Sequence, residues 1–469
     1  MSTHSQAEDA LRGARHEVFW LDDAAAPAVR APLSRPKSAD CVIVGGGFTG
    51  LWSALIVKEK RPDWDVVVLE GVRIAWGASG RNGGFCDASV THGLSNGLAH
   101  FPDEIDTLEQ LGVENLTSIE GFVKAEQIDC DLTGRGTLDV AVEEWQMEDL
   151  AEIARIAPKY GYEAALLDAT ELRKRVDSPT YKGGLYIGNR CALVNPARLA
   201  WGLAAAAERR GIEIFEGTMV ASVDDRGREM EVRTAGSVPV RAPHVILGTN
   251  AFPPLLSGIR SFVLPVYDYA LVTEPLTGDQ REAIRWSGRE GLSDAGNLFH
   301  YYRMTADNRI LFGGYDAIYH YGNATKAEFS RNPRTFALLA RHFYATFPQL
   351  RGIGFTHSWG GAIDTCSRFA MFFGQRYRGK VHYAMGFTGL GVGASRFAAQ
   401  VLADRVTNRE SPASGLRLTR TKPVPFPPEP LRKAVVEVTR RSLMAADRNQ
   451  GQRNRWLRLL DRVGVGFDS

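Results

Sequence analysis

Two unbroken apolar runs, Cys41–Val44 and Val66–Leu69, flank a helical pattern carried by Leu51, Ala54, Leu55 and Val57. Runs of four apolar residues predict strands buried on both faces, and the pattern between them predicts a crossover helix. Further along, 104–180 interleaves charge with Leu, Ile and Val and predicts mostly helix. PARLAWGLAAAAERRG predicts another helix, followed by the short strands IEIFEG, VASVDD, EVRTA and HVILGT. Residues 262–320 carry strand-like runs such as FVLPVYDYALVTE and RILFGGYDAIY. Residues 381–408 predict a strand, a Gly-rich turn and a helix. The first 37 residues predict an extended lead-in, and the Pro-rich run 422–430 predicts a linker before a helical tail. No internal repeat is evident.

The turn between the first strand and the helix carries Gly45-x-Gly47-x-x-Gly50, with Phe48 and Thr49 inside it, and Glu70 ends the second strand. Gly45 permits the tight turn, Gly47 lets the backbone approach a pyrophosphate, and Gly50 lets helix and strand pack closely. The helix N-terminus offers N–H groups to phosphate, and Glu70 offers acceptors to ribose hydroxyls. Alone, this unit does not separate NAD from FAD. Two further segments do. Gly77, Ala78, Ser79, Arg81, Asn82, Gly83 and Gly84 form a long Gly-rich loop where an NAD enzyme proceeds to another helix. A second glycine cluster with Gly389, Leu390 and Gly391 opens the helix near 396–405. Two glycine turns serving one ligand predict FAD, with N–H groups of the second turn facing its pyrimidine ring.

Composition narrows the classes. The net charge of +2 gives no reason to expect nucleic acid. Five dispersed cysteines without C-x-x-C argue against a disulfide framework or zinc, so no metal is expected. No apolar leader and no 18-residue apolar stretch is seen, so neither signal peptide nor membrane span is expected, and the expected address is cytoplasmic. Residues 417–469 hold 12 Lys/Arg and 5 Asp/Glu; this basic tail is expected to dock on the acidic body through Val435, Val436, Leu443, Trp456 and Leu459.

With these motifs together, the chain resembles the D-amino-acid oxidase superfamily of FAD enzymes. It is similar to the branch with glycine and sarcosine oxidases, and most to the gamma-glutamylputrescine oxidoreductase-like group. VIVGGGFTGL, GASGRNGGF, HVILGTNAF and GFTGLGVGAS carry the likeness over roughly 38–408, and WLDD and LLDRVGVGFDS add to it. The resemblance implies an α/β (α+β) fold: a Rossmann-type FAD domain from 38–103, 185–260 and 355–408, and a discontinuous mixed-sheet substrate domain from 104–184 and 261–354. Residues 409–469 form linker and tail. It also implies that Val220 meets the adenine through backbone and that Gly248 and Thr249 run near the cofactor. Trp359 stands where sarcosine oxidases carry the flavin-linking cysteine, with Cys366 seven residues on, so non-covalent FAD is expected; Gly360 lies beside it. Gly393 takes the position of a substrate-binding lysine.

The implied activity is oxidation of the C–N bond of a small primary or secondary amine, such as a polyamine or gamma-glutamylated amine. Hydride passes to flavin N5, the imine hydrolyses, and O2 or another electron acceptor reoxidises the flavin. A dehydrogenase, a flavin monooxygenase and a non-catalytic flavin protein stand as alternatives. The catalytic candidates are Tyr301, Tyr302, Arg303 and Trp359. Period 2 puts Tyr301 and Arg303 on one face of their strand and His300 and Tyr302 on the other, without saying which meets the flavin; a plain Tyr–Arg pair at a sheet edge is the alternative. Tyr267, Asp268 and Tyr269 form a second candidate strand, and Asp87 is expected to be a solvated loop acid, with contact to a substrate ammonium as the alternative. His357 is expected to be structural. The oligomeric state is left open.

Overall fold

The computed structural model describes residues 3–462, 464 and 465; the final residues of the LLDRVGVGFDS run lie outside the described residues. Its centre is a six-stranded sheet in the order Glu213–Phe215, Val66–Leu69, Cys41–Val44, His244–Leu247, Val381–Met385, Phe372–Arg376. The first five are parallel and the sixth is antiparallel. The helix Phe48–Lys60 crosses between Cys41–Val44 and Val66–Leu69, which pair Cys41 with Val66 in register. Both strands are fully buried because helices cover one face and a four-stranded sheet containing Val220–Asp225 covers the other.

A nine-stranded sheet forms the second layer system, with Leu264–Thr273, Ile310–Gly314, His300–Met304 and Gly291–Asp294 at its middle. Phe355–Thr365, expected with the nucleotide-binding segments, pairs along its length with Leu264–Thr273 in this sheet. Gly183–Ile187 also joins it. Conversely, the helix Ile105–Ala125, expected with the substrate segments, packs Leu108, Leu116 and Ile119 into the core around Leu51 and Trp52. Trp52 and Phe122 meet edge to face.

The N-terminal segment is more than a lead-in. It begins as the helix Thr3–Leu11, and Arg15 then joins the backbone of Thr356 and Ser358. Trp20 is buried and donates its indole N–H to the Asn82 carbonyl at 2.8 Å.

The tail does dock. Its helices are Leu431–Arg448 and Arg455–Arg462, and Leu443, Ala446 and Leu457 bury against one another with Trp456 beside them. Asp447 accepts from the main chain of Asn297 and Leu298 and from the Asn297 amide, and Arg440 sits 3.3 Å from Asp316. The expected contact through Leu459 is corrected: Leu459 is half exposed, and Leu457 and Leu460 turn inward. The helix phase, one residue off in the sequence reading, decides this. No helix among the described residues is long and apolar enough to cross a membrane.

Candidate active site

A continuous cavity of about 1720 Å³ runs between the two large sheets. A single small-molecule site is roughly 300–1,000 Å³, so this one has room for a cofactor and a second ligand. At one end it is walled by Gly45, Gly47, Phe48 and Thr49 at the start of the helix Phe48–Lys60. Gly45 has φ of 110°, and a Cβ there would sit 2.6 Å from the Gly248 carbonyl oxygen. That turn therefore accepts glycine and leaves a bare backbone cradle. Gly50 closes the turn from behind, under the Gly45 carbonyl, rather than lining the cavity. Gly47 provides no side-chain cap, which leaves first-turn N–H groups after Phe48, whose own N–H goes to Ser79, for an anion.

Glu70 stands beside this cradle, its carboxylate accepting from Gly46 N–H at 2.6 Å and Val72 N–H at 2.8 Å. Burial raises its pKa against these bonds. Met219 and Val220 continue the wall there, while Gly248 and Thr249 form the facing turn. The loop with Gly77, Ala78, Ser79, Arg81, Asn82 and Gly83 lies along the cavity. Ser79 Oγ accepts from Phe48 N–H at 2.9 Å, tying the loop to the helix start. Arg81 donates to the Trp76 and Gly360 carbonyls at 2.8 and 3.0 Å, and Trp359 returns a bond to the Arg81 carbonyl at 2.9 Å. Gly360 itself packs against Tyr269 behind the wall; Trp359 and Gly361 face the cavity. Gly84 is likewise outside the lining, next to Arg303.

At the second glycine turn Gly389, Leu390 and Gly391 line the cavity and open the helix Gly391–Val406. Part of that turn is occupied internally. Asp364 accepts the Gly386 N–H at 2.6 Å, and Thr388 N–H bonds the Asp364 carbonyl. Burial pushes the Asp364 carboxyl up to about 7. Cys366 is also buried, with its thiol pushed up to about 11.

Tyr301 is the catalytic candidate that the structure brings into the cavity with Trp359. Its ring packs on Gly83 and lies edge to face with Phe85, and its hydroxyl donates to Asp268 at 2.7 Å. Two candidates are corrected. Tyr302 points to the opposite side of its strand, into the core with Trp286 and Phe347, where it bonds the Tyr181 hydroxyl at 2.7 Å. Arg303 shares the face of Tyr301 but not the cavity. It donates to the Val194 and Gly84 carbonyls at 2.7 and 3.2 Å under the Trp20 ring, and burial lowers its pKa to about 10. It braces the end of the loop. His357 is held by Arg15, Asp22 and Thr356 away from the lining, as a structural histidine is.

Asp87, read from sequence as a solvated acid, lies on the strand Phe85–Asp87 in the cavity wall, with its carboxyl pushed up to about 6 by burial. Asp139, bonded by Ser293, and Arg190 line the same region and were not foreseen. Nothing local marks them; pairing of 137–141 with 291–294 sets Asp139 beside Ser293, and the Arg190 carbonyl accepts the Ala88 N–H next to Asp87. Gly393 faces the Asp87 backbone so closely that a Cβ would overlap its carbonyl oxygen.

The sequence profile of a family described as FAD dependent oxidoreductase, DAO, matches residues 40–405. The chain belongs to this family. Two curated relatives agree over most of their length. A probable oxidoreductase, OrdL, of Haemophilus influenzae is 31% identical over 80% of this chain and 84% of its own. The gamma-glutamylputrescine oxidoreductase of Escherichia coli is 32% identical over 79% of this chain and 84% of its own. Among solved structures, glycine oxidase from Geobacillus kaustophilus superimposes with a TM-score of 0.68 at 19% identity, covering 80% of this chain and 96% of that one. The mixed α/β fold is thus that of the FAD-dependent oxidoreductases. The bare cradle at Gly45–Gly47, the uncapped helix start and the length of the cavity fit FAD.

Proposed function

We propose that the chain oxidises the C–N bond of a small primary or secondary amine that lacks an adjacent carboxylate, in the manner of polyamines or gamma-glutamylated amines. The observation that carries this is the charge of the cavity wall. Eight acidic side chains line it against three arginines, and no lysine does among the described residues. Each arginine already has partners, with Nε and Nη1 of Arg190 left without a hydrogen bond. Arg81 holds carbonyls, Arg190 lies over the Tyr162 ring at 4.0 Å beside Glu109, and Arg440 pairs with Asp316 and Glu437. A substrate carboxylate would enter without a free cation to meet it, whereas an ammonium group meets carboxylates.

Bound FAD would supply the electron sink for a hydride from the carbon that bears the nitrogen, once the ammonium has released an N–H proton and the amine is neutral. The resulting imine adds water and separates into a carbonyl compound and ammonia or a smaller amine. Two electrons then pass to O2, giving hydrogen peroxide, or to another acceptor. The chain's part is to position the amine and to keep water from the reacting carbon. Tyr301, Asp268 and Trp359 would form that wall. The cofactor-contact residues in this reading are those of the cradle, the 77–83 loop, Val220, the Gly248–Thr249 turn and the Gly389–Gly391 turn. We take the FAD to be held without a covalent bond. Cys366 supports this: its buried, protonated thiol is a poor nucleophile. Five buried free cysteines support a reducing, cytoplasmic setting.

The test is anaerobic bleaching of the flavin by a panel of polyamines, gamma-glutamylated amines, N-methylamines and amino acids. Amines should bleach it. Bleaching by amino acids alone would refute the reading. Peroxide formed under air separates an oxidase from a dehydrogenase. Acid precipitation should leave the yellow cofactor in the supernatant.

A further inference from the structure

We infer that Asp268, oriented by Tyr301, is the residue that anchors the substrate's ammonium group. This rests on the amine reading above and names the group that selects the substrate. On the strand Leu264–Thr273, Tyr267 and Leu271 enter the core behind the sheet, while Val266, Asp268 and Ala270 line the cavity. Across the ladder Asp268 is paired with Gly361, where a Cβ would sit 3.3 Å from the Arg81 side chain. The carboxylate is thereby fixed one strand away from the 81–83 loop and Trp359.

Its own bonds leave it short of charge. Oδ2 accepts the Tyr301 hydroxyl at 2.7 Å and Oδ1 accepts the Tyr269 N–H at 2.8 Å. Both donors are neutral. Among the described residues no lysine or arginine forms an ion pair with Asp268. Burial raises its pKa to about 6, offset in part by Tyr301, by main-chain N–H groups of Tyr269 and Gly314, and by His300. A carboxylate in a cavity wall, hydrogen-bonded but without a counter-ion, is unsatisfied electrostatically until a cation arrives. The neighbouring surfaces of Phe85, Trp359 and Gly361 carry no charge, and the Arg81 guanidinium beyond Gly361 is turned to the Trp76 and Gly360 carbonyls. A primary or secondary ammonium supplies the missing charge and can donate to the carboxylate, which places the carbon next to nitrogen along the wall formed by Tyr301 and Trp359.

The experiment uses the FAD-loaded protein and two ligands that cannot be oxidised by loss of an N–H and hydride: tetramethylammonium and acetate. Each is titrated while the visible flavin band is followed, and each is tried as a competitor of whichever amine reduces the flavin. Tetramethylammonium should shift the band and compete, and acetate should do neither. Asp268→Asn should weaken tetramethylammonium at least tenfold while FAD content and thermal midpoint stay those of the parent. Asp268→Glu should retain part of the affinity, and Tyr301→Phe should lose no more than a few-fold. Binding of acetate in preference to tetramethylammonium by the parent protein would overturn the inference. So would unchanged tetramethylammonium binding in Asp268→Asn. If Asp268→Asn fails to retain FAD, Asp268→Glu decides: weakened tetramethylammonium binding with FAD retained supports the anchor, and binding unchanged from the parent overturns it. If no amine reduces the flavin but Asp268 still governs cation binding, the amine-oxidation reading fails and the cation subsite stands.

Discussion

Gly45→Ala tests the cofactor cradle at the point where backbone geometry is most constrained. Gly45 has φ of 110°, outside what an L-residue adopts without strain, and strain of this kind costs about 1–3 kcal/mol. A Cβ at that position would also lie 2.6 Å from the Gly248 carbonyl oxygen and 3.1 Å from its carbon. Moving 2.6 Å out to the ~3.0 Å that real Cβ contacts keep takes about 0.4 Å of backbone movement. The two turns cannot separate freely, because Gly45 N–H bonds Leu69 and Gly248 N–H bonds Val44, both at 2.8 Å. Overpacking of this sort adds about 1–3 kcal/mol. The sum is on the order of 2–6 kcal/mol, shared between the fold and the FAD-bound state. If a third to a half of it is felt by the bound cofactor, about 0.7–3 kcal/mol, FAD affinity falls roughly threefold to a hundredfold, since about 1.4 kcal/mol is one decade. FAD affinity is measured by flavin fluorescence, and apo stability by thermal unfolding. Gly121→Ala serves as the control. Gly121 lies inside the helix Ile105–Ala125 with nothing within 4 Å of its would-be Cβ, and the change should add up to about 1 kcal/mol of stability without touching FAD. Gly45→Ala binding FAD within twofold of the parent, with apo stability unchanged, would refute the cradle argument.

Three further outcomes are expected. Gly393→Lys should not install a carboxylate anchor: its Cβ overlaps the Asp87 carbonyl, so the variant should lose FAD and stability instead of gaining amino-acid oxidation, as read by flavin content and oxygen uptake. Asp364, raised to about 7, binds a proton in the folded chain that the unfolded chain releases near pH 4. Its contribution to stability is therefore present below about pH 4 and lost as pH rises through 7, by at most on the order of 4 kcal/mol; thermal midpoints from pH 5 to 8 should fall less steeply in Asp364→Asn than in the parent. Asp447→Ala removes three hydrogen bonds to Asn297 and Leu298, worth about 1.5–3 kcal/mol each at a charged acceptor if left unreplaced by water. Limited proteolysis should then release the tail earlier, and bulky amines should gain rate over small ones, because Val435, Val436 and Leu443 roof part of the cavity.

The nucleotide-binding unit was legible because its signals are local. Strand, glycines, helix, strand and Glu70 fall within about thirty residues, and each has a geometric reason that survives any tertiary context. What sequence reasoning missed is non-local. Period 2 correctly paired Tyr301 with Arg303, yet Arg303 is consumed by the carbonyl of Val194, more than a hundred residues away. The resemblance placed Phe355–Thr365 with the FAD segments, while its hydrogen bonds go to Leu264–Thr273. Gly393 shows why the distinction matters for function. As a sequence feature it is an absent lysine and suggests a substrate without a carboxylate. In the structure it is glycine because the Asp87 backbone leaves no space for a side chain, so packing alone accounts for it. The missing lysine therefore carries little weight about the substrate. The weight falls on the wall itself, where Asp87, Asp139 and Asp268 meet a cavity whose arginines are already engaged. A lysine introduced elsewhere in that wall, such as Ser293→Lys beside Asp139, would test the charge argument where Gly393→Lys tests only the packing.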